Sequence, residues 1–132
     1  MSSLGRSAIA VVAGFAAMLA ILRGVDFLIA RYTSIGQVPL GANLYTPASL
    51  AVDLARLVVS VCLGGFVAAS LAPRARLWHS VVMASIMFTL TVFQGIPRAW
   101  VQPVWYSVLT LIIIIPTGFL GGASALWRHR RG

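Results

Sequence analysis

The chain has 132 residues, 60% of them hydrophobic and 9% charged, with a formal net charge of +8. Soluble domains carry roughly 45–50% apolar and about 25% charged residues, so a soluble globule, a disordered segment and a nucleic-acid module are excluded. What remains is an integral membrane protein, and the lipid bilayer is its first partner.

A helix crosses about 30 Å of hydrocarbon with about 20 apolar residues. Four stretches meet that length, at about residues 7–30, 48–71, 77–96 and 104–127, and they fill nearly all of 1–132 as a single transmembrane domain. The first follows Arg6 and also fits a secretory signal peptide, but no A-x-A-like cleavage site follows the run, so it counts as helix one. Between Arg31 and Pro47 lie Gly36, Pro39, Gly41 and Asn43, which read as a loop. Thr46 before Pro47 is an N-cap and first-turn signal for helix two, and Gln102 with Pro103 reads the same way for helix four. The other linkers are short, which makes consecutive helices antiparallel neighbours. The expected fold is therefore all-α, an integral membrane four-helix bundle running up-down-up-down.

Orientation follows from arginine. Six of them (Arg6, Arg74, Arg76, Arg128, Arg130 and Arg131) flank one side of the predicted spans, against Arg31 and Arg98 on the other, which places both termini in the cytoplasm. Tyr32, Tyr45, Trp100, Trp105 and Tyr106 read as an outer aromatic belt, with Trp78 and Trp127 at the inner interface. All ten basic residues are Arg, and neither Lys nor Glu occurs, which points to a GC-rich bacterial genome. The expected location is the bacterial inner membrane.

Helix association in lipid relies on close backbone approach through small residues. Helix two offers Ser60, Gly64, Ala68 and Ala72 at i+4 spacing, helix four offers Gly118 and Gly122, and helix one offers Ala16, Ala20 and Gly24. Helices two and four also share a weak repeat, in which Pro47 and Pro103 stand at similar distances before Gly64-Gly65 and Gly121-Gly122. Pro116 leaves the Ile112 carbonyl without its helical donor and predicts a kink, with Thr117 placed to repair the backbone.

Four charges fall inside the spans: Arg23 and Asp26 on helix one, and Asp53 and Arg56 on helix two. Counting a rise of about 1.5 Å per residue from the outer helix ends puts both Asp about 6–8 Å deep and both Arg about 10–12 Å deep. One such charge at a helix centre costs about 2.5–3.5 kcal/mol, so the four are expected to pair as a neutral quartet facing the bundle interior. The plainer reading is that Asp26 and Asp53 snorkel to the headgroups beside their Arg neighbours. Gln94, Ser107 and Thr110 fall at a matching depth, whereas Thr89 and Thr91 can bond their own helices at i−4.

Cys62 stands alone and reads as a small buried residue without a disulfide or redox partner. His79 reads as an interfacial side chain, with ligation of a haem or pigment as its rival role. No metal-ligand spacing, catalytic triad or nucleotide-binding loop occurs, so no metal, cofactor or independent enzymatic activity is expected.

Gly64-Gly65-Phe66-Val67-Ala68-Ala69-Ser70-Leu71-Ala72-Pro73, His79, Gln102-Pro103-Val104-Trp105-Tyr106 and Leu120-Gly121-Gly122 together resemble a recurring pattern of short four-span bacterial inner-membrane proteins. The resemblance implies a fold and a compartment and no activity. The chain lacks the first-helix Glu of small multidrug transporters and the CxxC of quinone-linked thiol oxidoreductases. Packing signals without chemistry lead to the first functional expectation, an accessory or structural subunit packed against a larger respiratory or photosynthetic membrane complex. The alternative is a small homo-oligomeric transporter or channel using Arg23, Asp26, Asp53 and Arg56, with Gln94 nearby.

Overall fold

The computed structural model describes residues 3–32, 46–72, 74–98 and 102–132. Four helices account for nearly all of them: α1 (Ser3–Tyr32), α2 (Pro47–Leu71), α3 (Arg76–Arg98) and α4 (Val104–Arg131), with no strand among the described residues. Each is long and apolar enough to cross a membrane. α1 begins four residues earlier than the apolar run and α4 continues through its arginine-rich end to Arg131, because Arg tolerates helical geometry well outside hydrocarbon. The expected loop and the belt residues Tyr45 and Trp100 lie outside the described residues.

The facing pairs reveal helix direction. On α1 and α2, Asp26 meets Arg56, Met18 meets Gly64 and Gly14 meets Ala68, so the two helices run antiparallel. On α2 and α4, Asp53 meets Tyr106 and Gly65 meets Gly118 at one constant offset, so these two run parallel. Ala84 against Gly118 and Ser80 against Gly122 make α3 and α4 antiparallel.

The most extensive contact is between α2 and α4, not between chain neighbours, and α1 reaches α2 and, more thinly, α3. α2 is thus the hub, packed on all three other helices. The reason lies in its glycines. A Cβ on Gly65 would stand 2.5 Å from the Gly118 carbonyl oxygen, and one on Gly121 would strike the Cys62 carbonyl, so α2 and α4 touch backbone to backbone. The two Gly-Gly pairs of the weak repeat do not face each other: Gly65 opposes Gly118, and Gly121 opposes the Cys62–Phe66 turn.

Ser60, Gly64, Ala68, Gly118 and Gly122 are buried. On α1 the expected stripe is reversed. Ala16, Ala20 and Gly24 are exposed, and the buried face is Ala10, Gly14 and Met18 at the same i+4 spacing. A Cβ on Gly14 would lie 2.6 Å from the Ala68 Cβ, whereas one on Gly24 meets nothing within 4 Å. Met18, Val61, Met83 and Ile114 fill the centre of the bundle, and Phe15, Leu57, Met87 and Phe88 close around them.

α4 is helical through Pro116, which points outward. The Thr117 hydroxyl donates to the Ile113 carbonyl at 2.7 Å and not to Ile112, as the i−4 geometry of a helical Thr dictates. Between α2 and α3, Ala75 takes a positive φ of 47°, and its carbonyl accepts from the Trp78 and His79 amides to start α3.

Candidate functional site

Local chemistry at the start of α2 sets the site. Thr46 caps the helix by accepting from the Ser49 amide at 3.3 Å, and Pro47 supplies a first-turn φ suited to the helix. Asp53 and Arg56 then follow one turn apart on a single face. The Arg56 guanidinium forks between two carboxylates, with Nη1 donating to Asp26 on α1 and Nη2 donating to Asp53 on its own helix. The second Asp53 oxygen accepts from the phenol of Tyr106 on α4. Three helices are thereby tied at one level by charge-assisted hydrogen bonds, the stronger kind.

Beside this cluster a cavity of about 420 Å³ opens among α2, α3 and α4, with Leu22 of α1 on its wall. Asp53, Arg56 and Tyr106 form its polar wall, and Leu22, Leu57, Met87 and Leu111 supply apolar surface. Thr91, Gln94, Gln102, Ser107 and Thr110 also line it. Tyr106 is buried, with its ring edge-on to Trp105 at 6.0 Å. Val92, Gln94, Val104 and Val108 line the cavity and are themselves exposed, so the mouth lies between α3 and α4 at the Thr46 end of the bundle. At the opposite end the same two helices are held tightly by Ser80, Ala84, Gly118 and Gly122. The cleft is the space left where these small residues give way to Met87, Thr91, Ser107 and Leu111.

Three of the four expected charges meet here, and Arg23 does not. Its side chain is exposed on α1, about 60° of helical rotation from Asp26, while Asp26 faces α2. The expected neutral quartet is therefore a triad of two carboxylates and one guanidinium. Gln94, Ser107 and Thr110, which the sequence placed at a matching depth, line the cleft, with Gln94 at the mouth. Gln102 also lines the cleft and does not cap α4: Pro103 is the N-cap and makes no side-chain capping bond.

Tyr106 is the site residue that the sequence reading assigned elsewhere, to the aromatic belt. The available signal was its depth: it sits one turn into α4, as Asp53 sits near the start of the parallel α2, and a buried phenol needs an acceptor. Trp78, Trp105 and Trp127 are exposed, and the Arg131 guanidinium lies 3.6 Å from the centre of the Trp127 ring.

His79 and Cys62 stand away from the cleft. His79 Nδ1 lies 3.0 Å from the Ala75 carbonyl oxygen, at the start of α3. Cys62 is half-buried, and its carbonyl forms part of the α2–α4 contact. Thr89 and Thr91 donate to carbonyls four residues back, as expected. No group of three or more metal-ligating side chains occurs among the described residues. Comparison of the chain with protein-family models, curated sequences and solved structures finds no match.

Proposed function

We propose that the protein is a small multi-pass transporter of the bacterial inner membrane, both termini cytoplasmic, whose substrate site is the cleft between α2, α3 and α4. The observation that carries this reading is the convergence of Asp53, Arg56, Tyr106, Gln94, Ser107 and Thr110 on one cavity open at its side. Charged side chains inside a membrane domain are costly unless paired, and they mark substrate or ion pathways. A cavity of about 300–1,000 Å³ with apolar walls and a few convergent polar groups is the usual form of a small-molecule site.

A second reading rests on a different surface. Ala16, Ala20 and Gly24 form an exposed small-residue stripe on α1 beside the exposed Arg23. A charge at that depth favours an acidic partner, which supports an accessory or structural subunit of a larger complex, or a homo-oligomer.

Native mass spectrometry of protein extracted in mild detergent separates the two. A small-molecule adduct on the wild-type chain that is absent from Ser107→Trp, a substitution that fills the cleft, is the result expected for a substrate site. A bare chain bound in fixed ratio to another membrane protein, unchanged by Ser107→Trp, overturns it in favour of the subunit reading.

A further inference from the structure

Resting on the cleft reading above, we propose that the occupant is a protonated amine with an apolar body. The first argument is charge. Asp26 and Asp53 share the single guanidinium of Arg56, and Arg23, which would have balanced them, is turned to the outside of α1. Among the described side chains, Asp53 and Arg56 are the only charged groups lining the cavity. The three-residue cluster, Asp26 included, carries one more negative charge than positive, and of its two carboxylates Asp53 is the one on the cavity wall. A monovalent cation neutralises that excess, and an anion adds to it.

The second argument is hydrogen bonding. Thr110 is 8% exposed and lines the cavity one turn beyond Tyr106, and its hydroxyl interacts with the Tyr106 phenol. Most hydroxyls on these helices return to a carbonyl three or four residues back, as Ser60, Ser80, Thr91 and Thr117 do. Both Asp53 oxygens already accept one bond, yet a carboxylate has about four lone-pair sites and keeps room for more donors. The side-chain carbonyls of Gln94 and Gln102 are further acceptors on the same wall. An ammonium group brings several N–H donors and no acceptor, which complements this set.

The third argument is shape. Leu22, Leu57, Met87 and Leu111 extend the cavity well beyond the polar wall, so an inorganic cation would leave most of its 420 Å³ unmatched. An apolar body attached to the ammonium fills that volume, and the mouth between α3 and α4 admits it from the side.

Three probes with one apolar cage and different heads test the proposal: 1-adamantylammonium, 1-adamantanol and 1-adamantanecarboxylate, titrated near neutral pH into the full chain in lipid nanodiscs and followed by tryptophan fluorescence. The expected order is ammonium tightest, with the alcohol weaker by about ten- to a hundredfold, as expected for a hydrogen bond to a charged group, and the carboxylate weakest. Asp53→Asn should bring the ammonium down to the level of the alcohol and leave the alcohol unchanged, while Ser107→Trp should remove all binding. If Asp53→Asn does not give monodisperse protein, Gln94→Leu serves, lowering the ammonium-to-alcohol ratio by removing an accessible acceptor on the wall. Equal or tighter binding of the carboxylate, or an ammonium affinity indifferent to Asp53→Asn, overturns the amine; binding that Ser107→Trp still removes would then leave the cleft reading standing. No saturable binding of any probe, or binding indifferent to Ser107→Trp, overturns both.

Discussion

The two ends of the bundle are built by opposite means. At the Trp78 end the helices approach through atoms that are missing: Gly14 against Ala68, Gly118 against Ala84, Gly122 against Ser80. At the Thr46 end they are kept apart by large side chains and joined by polar ones, with Arg56 bridging Asp26 and Asp53, and Tyr106 reaching Asp53. Between helices in lipid there is little hydrophobic drive, so contact comes either from backbone approach or from hydrogen bonds. The first brings backbone against backbone. The second leaves a cavity lined by polar side chains, which is why the candidate site lies at the Thr46 end.

The sharpest way to break this contrast is to place bulk in the tight end. Gly64→Leu and Gly65→Leu should each cost more than about 3 kcal/mol, beyond the usual range for overpacking, because the new side chain meets backbone. Leu63→Ile, at an exposed neighbour, should cost less than about 1.5 kcal/mol. Detergent-resistant yield and thermal unfolding measure the difference, and equal tolerance would remove the glycine contact as the basis of the fold.

Next in size is the polar end, where the order of effects is diagnostic. Arg56→Gln strands two carboxylates and should cost about 3 kcal/mol, the low end for a broken buried pair because the partners remain partly exposed. Asp53→Asn leaves Asp26 paired with Arg56 and should cost only about 1–2 kcal/mol. A neutral quartet that included Arg23 would have made the two losses similar, so chemical denaturation of both variants tests the triad directly. Combining Asp26→Asn and Asp53→Asn with Arg56→Gln should recover much of the stability, since no charge is left without a partner.

Tyr106→Phe removes one hydrogen bond to a carboxylate and should cost about 1.5 kcal/mol, with no change in helix content by circular dichroism. No loss of thermal stability would show that the phenol does not hold α4 to α2. The smallest effect is expected outside the comparison, at the turn before α3. Ala75→Gly relieves a left-handed alanine and should raise stability by about 0.5 kcal/mol after the extra backbone entropy of glycine is counted. A clear destabilisation would mean that the αL conformation is not the strained element of that turn.

How far the residues alone carried the reading can be seen at particular positions. Four spans, the Thr46 cap and the small-residue face of α2 follow from local rules: length against hydrocarbon thickness, side-chain oxygen against an orphan amide, and 3.6-residue periodicity. The matched depth of Asp26, Asp53 and Arg56 was legible for the same reason, since rise per residue is constant. Rotation about each helix axis was not. Arg23 and Asp26 share a depth window but not a face, and both candidate small stripes on α1 satisfy i+4 spacing, so periodicity alone could not choose Gly14 over Ala20. That choice needs the partner helix, because only the fit of Gly14 against Gly64 and Ala68 tells which stripe is buried. The same holds for Tyr106. Its composition suits an interface belt, and its role as the third member of the Asp53 cluster follows from the direct packing of α2 on α4, a contact between helices that are not chain neighbours. Position along a helix axis is thus a one-dimensional property that the sequence determines by itself, whereas azimuth and helix adjacency depend on all four helices at once and were decided by the tertiary structure.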